Sequence, residues 1–152
     1  MKLKKMENKQ IEYAGFWKRF AATIIDGVVI VFFSSSLRWT ISDSLSLQGD
    51  VSYEESQSIA YMIWSIYLIF IRWCYFAGME SSPLKATIGK IAVGLYVVDL
   101  NGNRIGFGQA SGRFFGKFLS GLILGVGYLM AGFNQRKQAL HDQISECLVL
   151  KK

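Results

Sequence analysis

Apolar residues in this chain fall in long, nearly unbroken runs instead of the alternation of a half-buried strand or the three-and-four spacing of an amphipathic core helix. The first run, Phe16 to Leu37, reads FWKRFAATIIDGVVIVFFSSSL and has the length of a bilayer-spanning helix. Its basic start and small residues at Ser34 to Ser36 resemble a signal peptide, but Asp26 interrupts the apolar core and further apolar segments follow. The second run, Ile59 to Phe76, is IAYMIWSIYLIFIRWCYF; Trp64, Trp73, Tyr61 and Tyr75 suit membrane interfaces and helix packing, and Arg72 can snorkel to headgroups. Between them Arg38 to Ser58 is serine-rich and acidic, with Asp43, Asp50, Glu54 and Glu55, and is expected as a loop with a short surface helix in part. A third apolar segment, Gly108 to Phe133, is too short for two crossings at roughly 20 residues each. Gly125 and Gly127 break it, which suits a re-entrant hairpin; one plain crossing is the alternative.

The remaining stretches differ in kind. Met1 to Glu12 carries Lys2, Lys4, Lys5 and Lys9 without apolar periodicity and reads as a flexible basic tail, which leaves residues 13–152 as one membrane domain. From Ala77 to Phe107 turn residues and β-branched alternation take over. GLYVVDLNGNRIGF predicts a β-hairpin, because Asn101-Gly102 favours a two-residue turn with positive φ at both positions. The C-terminal ECLVLKK has strand character, and pairing with that hairpin satisfies its backbone. Residues 94–105 and 146–151 are thereby expected on one side of the membrane. The predicted fold is mainly helical: two spans, a glycine-broken third segment and a small cytoplasmic β-hairpin joined by the C-terminal strand.

Charge orients this arrangement. Lysines and arginines number six in residues 1–19, one in 38–58, five in 77–117 and four in 134–152. The positive-inside rule places the first, third and fourth stretches, and so the N-terminus, in the cytoplasm. Three full crossings would strand Arg136, Lys137, Lys151 and Lys152 outside; two crossings with a re-entrant third segment do not. A net charge of +6 in a chain 51% hydrophobic is thus read as topology, and no nucleic-acid partner is expected. Cys74 and Cys147 lack the spacing of a disulfide framework, and His141 is the one histidine, so neither a metal centre, a cofactor site nor a hydrolytic triad is expected.

Asp26 is the residue with most to explain. A carboxylate near the middle of a spanning helix costs roughly 2.5–3.5 kcal/mol on insertion scales unless it is paired, hydrated or protonated. Either it is a proton or cation site, or it is a polar contact that holds helices together. Arg19, seven positions earlier, shares its helix face about two turns away at the cytoplasmic edge. Asp142 is placed to meet Arg19 on that side; a helix cap is the plainer role for it. Its neighbour His141 reads as a packing or hydrogen-bonding group. Gly112, Gly116 and Ser120 form one small-residue line and Gly121 with Gly125 another, suited to close packing within one chain or between subunits.

Three stretches, GFWKRFAATIIDGVVI, KATIGKIAVGLYVVDLNGNRI and GYLMAGFNQRKQALHDQISECLVL, together resemble the RDD family of small bacterial membrane proteins, over almost the whole chain after residue 12. The arginine and two aspartates of the family name map to Arg19, Asp26 and Asp142. TIGK at Thr87 to Lys90 stands where the family often has TPGK, and GFN near Asn134 replaces a more usual FD. The resemblance implies the bacterial cytoplasmic membrane, and some members are linked to sodium- or potassium-for-proton exchange. With the intramembrane acid, this makes the leading reading a transporter in which Asp26 alternates between a proton and a monovalent cation while Arg19 and Asp142 form a cytoplasmic charge relay or gate. Two crossings hardly enclose a pathway, so that reading requires a homo-oligomer. The competing reading is a non-transporting membrane adaptor or assembly protein whose buried charges are structural. Neither is an enzyme.

Overall fold

Two long helices dominate the chain in the computed structural model, which describes residues 12–46, 52–122, 126–134 and 136–152. They are α1 (Phe16–Ser46) and α2 (Tyr53–Glu80), and both outrun the apolar stretches that predict them. The interval expected as a loop, Arg38 to Ser58, is therefore helical up to Ser46 and again from Tyr53. The start of α2 has a local cause. The Ser52 hydroxyl accepts from the Glu55 N–H (3.3 Å) and donates to Glu55 Oε2 (2.9 Å), while the Ser52 N–H also reaches that carboxylate (3.4 Å). This reciprocal cap lets the helix begin six residues before the apolar run, and Glu54 and Glu55 complement its positive N-terminal end. Among the described residues, Gln57–Glu80 is long and apolar enough to cross a membrane, and its side chains are largely exposed.

The chain divides into two units, residues 1–26 with 73–152, and residues 27–72. The second holds the continuing parts of α1 and α2, with Trp64 stacked on Tyr67 at 5.6 Å. The first unit adds α3 (Ile88–Ala92), β1 (Leu95–Asp99), α4 (Phe107–Leu122), α5 (Val126–Phe133), α6 (Leu140–Ile144) and β2 (Cys147–Lys151).

β1 and β2 pair antiparallel, with Leu95 opposite Lys151 and Asp99 opposite Cys147. Strand alternation sends Leu95, Val97, Cys147 and Val149 to one face, where they pack with Ala14, Ala77, Ile105, Ala110, Trp73 and Val93. The other face carries Val98, Leu148 and Leu150 with Tyr13, Tyr96 and Leu100. The free edge of β2 is covered by the residues just before α1: the Ala14 N–H donates to Val149 O (2.9 Å) and the Lys151 N–H to Glu12 O (2.8 Å). Glu12 is thus tied down, and the rest of the tail expected over residues 1–12 lies outside the described residues.

The predicted hairpin is only half present. The chain does reverse after β1, but through a three-residue loop in which Gly102 N–H donates to Asp99 O and Asp99 N–H to Asn103 O. Gly102 alone takes positive φ (79°), whereas the expected two-residue turn needs it at Asn101 as well. The Asp99 carboxylate decides the matter by accepting from the N–H groups of Asn101 (2.9 Å) and Asn103 (2.7 Å). No return strand follows; Ile105 goes into the core, and β1 has β2 as its strand partner.

The third apolar segment is two helices, α4 and α5, with residues 123–125 between them outside the described set. A Cβ on Gly127 would lie 2.9 Å from Ser120 Cα, so α5 packs directly against α4. A Cβ on Gly116 would lie 3.1 Å from His141 Cβ, which seats α6 on the same side of α4. The line Gly112, Gly116 and Ser120 is therefore used inside the chain. Gly121 has nothing within 4 Å of an added Cβ, and Gly125 lies outside the described residues.

Candidate functional site

Two buried polar centres lie in the first unit. The first surrounds Asp26, which is 1% exposed. The α1 positions Ala22, Asp26, Ile30 and Ser34 recur every four residues and form a buried line, while Trp17, Phe20, Ile24 and Val28 face outward. Asp26 Oδ1 accepts from the Tyr75 hydroxyl and the Gly89 N–H, and Oδ2 from the Thr87 hydroxyl, all at 2.7 Å. Thr87 is the N-cap of α3 and holds the Lys90 N–H (3.4 Å), so the carboxylate meets the donor-rich end of that helix. Only glycine fits at position 89: an added Cβ would stand 2.2 Å from Ala22 O and 2.8 Å from Asp26 Cγ.

The second centre is a chain of alternating charges. Lys90 pairs with Glu80, Arg113 Nη1 lies 3.5 Å from Glu80 Oε2, Arg113 Nη2 lies 2.9 Å from Asp142 Oδ1, and Arg19 pairs with Asp142. These groups come from α3, the end of α2, α4, α6 and the start of α1, and the chain ties all five elements together. Arg19 donates from all three of its guanidinium nitrogens, with Nε also reaching Ala14 O (3.0 Å) and Nη2 reaching Lys137 O (2.6 Å). Asp142, wholly buried, doubles as a cap by accepting from the Ala139 N–H (3.1 Å).

Burial and an excess of cations set the protonation of the groups near this chain. Burial alone would raise Asp142, but Arg113 and Arg19 hold its carboxyl well below the usual range. Burial, reinforced by Arg113, Lys117 and Arg19, pushes His141 down to about 3 against the pull of Asp142, so the ring is neutral at pH 7. Its Nδ1 lies 3.3 Å from Ser120 Oγ. Burial lifts the Cys147 thiol to about 11, an unreactive core thiol.

Of the residues singled out from sequence, the structure brings Arg19 and Asp142 together and places His141 beside them (Nε2 to Asp142 Oδ1, 3.4 Å). It does not bring Asp26 into that group, since Asp26 is held by Tyr75, Thr87 and Gly89. Arg72 is exposed. Tyr75, Thr87, Gly89, Glu80, Lys90 and Arg113 escape sequence reasoning as site residues. One signal was available: Thr87 three residues before Lys90, with Gly89 between, is the pattern of a capped helix start that admits a close neighbour.

The model of the RDD family matches residues 13–146. YxaI of Bacillus subtilis strain 168, named only as an uncharacterized protein, is 34% identical over 149 residues, covering 91% of this chain and 97% of that protein. YteJ of the same organism, named as an uncharacterized membrane protein, is 28% identical over 144 residues, covering 91% of this chain and 80% of its own length. No solved structure matches the chain.

Proposed function

The chain belongs to the RDD family, and from that premise we propose a multi-pass protein of the bacterial cytoplasmic membrane, N-terminus inside, that works as a non-transporting, non-enzymatic adaptor or assembly protein. In this reading α1 and α2 cross the bilayer, α4 and α5 re-enter from the cytoplasmic side, and the sheet lies in the cytoplasm. The exposed apolar side chains of α1 and α2 call for lipid, the basic stretches sort to one side, and a relative is named as a membrane protein.

The observation that carries the structural role is the donor set on Asp26. A bound cation needs several oxygen acceptors around it. Asp26 instead receives three donors from two other parts of the fold, one of them a backbone N–H that has no acceptor to offer. Such a shell satisfies the carboxyl oxygens by hydrogen bonding and uses the side chain as a fastener between α1, α2 and α3. The test is reconstitution of purified protein in vesicles under sodium, potassium and proton gradients. Ion flux no faster than in empty vesicles, with a lower unfolding temperature for Asp26→Asn, is the expected outcome.

One observation favours the second reading, monovalent cation/proton exchange at Asp26 with Arg19 and Asp142 as a cytoplasmic gate. Two of the three donors, Tyr75 and Thr87, are hydroxyls, which can rotate to offer lone pairs. Wild-type flux that Asp26→Asn abolishes would select it. The homo-oligomer it requires would need a surface other than Gly112, Gly116 and Ser120, which face α5 and α6 of the same chain.

A further inference from the structure

The segment from Leu84 to Val93 is inside-out by the standards of a water-soluble protein. Its lysine in α3, Lys90, is 6% exposed and turned inward to Glu80, while Leu84, Ile88 and Ile91 are 60%, 44% and 47% exposed. Ile88 and Ile91, three apart, form one stripe on α3, and Leu84 lies in the turn before it. The stripe lies on the side of α3 away from Gly89, where an added Cβ would meet Ala22 O and Asp26 of α1.

The level of this segment is set by its attachments. Asp26 lies ten residues into α1, roughly 15 Å along the helix from Phe16 at 1.5 Å per residue. Tyr75, five residues before the end of the apolar stretch Gln57–Glu80, holds both Asp26 and the Ile88 N–H (3.0 Å). The start of α3 is thus pinned beside apolar parts of both long helices. It also meets the condition for lipid exposure, because its first three N–H groups are taken by Tyr75 Oη, Asp26 Oδ1 and Thr87 Oγ1.

We infer that Leu84–Val93 is a shallow re-entrant element whose Leu84, Ile88 and Ile91 side chains sit among the acyl chains of the cytoplasmic leaflet, next to α1. The occupant of this apolar stripe is the bilayer itself. The inference rests on the membrane reading above and adds a lipid-contacting element that hydropathy alone does not reveal.

The experiment uses the full chain in a Cys74→Ala/Cys147→Ala background, with single cysteines replacing Leu84, Ile88 or Ile91 and controls at Ile69 and Asn103. Each is nitroxide-labelled and reconstituted in phosphatidylcholine/phosphatidylglycerol vesicles, and collision with oxygen is compared with collision with a water-soluble nickel complex. Oxygen preference at positions 84, 88 and 91 near that at 69, and several-fold above that at 103, is the expected result. Nickel access at 88 and 91 equal to that at 103, with 69 in lipid, overturns the inference and leaves the membrane reading standing; that is the result a face reserved for a protein partner would give. Water-like values at 69 as well would overturn both. Unmodified protein supplies a second measurement: a lipid-phase carbene reagent should leave adducts on residues 84–93, and adducts confined to other peptides would overturn the inference without any substitution.

Discussion

The two buried aspartates of the family name are held in opposite ways. Asp26 is surrounded by neutral donors, two hydroxyls and a backbone N–H. Asp142 is clamped between two guanidinium groups, Arg19 and Arg113, in a chain of charges that reaches on through Glu80 to Lys90. A group stabilised by dipoles keeps most of its partners when its charge is removed. A group stabilised by buried charges leaves those charges stranded, and that asymmetry is open to measurement.

The largest effect belongs to Asp142→Asn. It strands Arg19 and Arg113 in a buried site, and breaking such a pair costs about 3–5 kcal/mol. Thermal unfolding in detergent should show the deepest fall for this variant, and a fall no larger than that of Asp26→Asn would erase the contrast. Asp26→Asn retains the shape and one carbonyl acceptor, and weakening its charge-assisted hydrogen bonds is expected to cost about 1.5–3 kcal/mol in the same measurement. Gly89→Ala tests whether close backbone approach supports the Asp26 centre. Its methyl group would overlap the Ala22 carbonyl, and relieving the overlap is expected to cost about 1–3 kcal/mol. Chemical-shift or crosslinking contact between residues 22 and 89 should weaken with it.

Acid sharpens the comparison from the other side. His141 is neutral in the folded state, with its folded value pushed down to about 3 from an ordinary 6.5. Between those values the unfolded chain binds more protons, so stability falls as pH drops below 6.5, by at most about 1.4 kcal/mol per pH unit. Asp142, depressed by Arg113 and Arg19, adds loss of the same sign as pH falls through the ordinary carboxylate range. Unfolding temperature measured from pH 7 to pH 5 should decline, and His141→Gln should flatten that decline. An unchanged slope in the variant would assign acid sensitivity elsewhere.

Much of this architecture is readable along the chain because its signals are local. The runs at Phe16 and Ile59 lie inside α1 and α2, and the alternations near Leu95 and Cys147 are the two strands. The helix extensions are less legible, since the cap of α2 depends on a serine and glutamate within a stretch otherwise marked as polar. Asn101-Gly102 misleads about the turn because Asp99, two residues before, supplies a competing set of backbone hydrogen bonds. Arg19 and Asp142 are picked out singly and also as a pair. Glu80, Lys90 and Arg113 are not, because the two cations read along the chain as topology markers and Glu80 as part of a turn-rich stretch.

What the chain determines alone is which segments shun water, which positions alternate as strands, and that an acid sits among apolar neighbours. Those properties follow from side-chain hydration and backbone geometry within a few residues. The satisfaction of that acid is a different matter: Tyr75, Thr87 and Gly89 lie 49, 61 and 63 positions from Asp26. Choosing them requires α1, α2 and α3 to be packed at once. Electrostatic energy depends on distance in space and on the surrounding dielectric, neither of which is written in spacing along the chain.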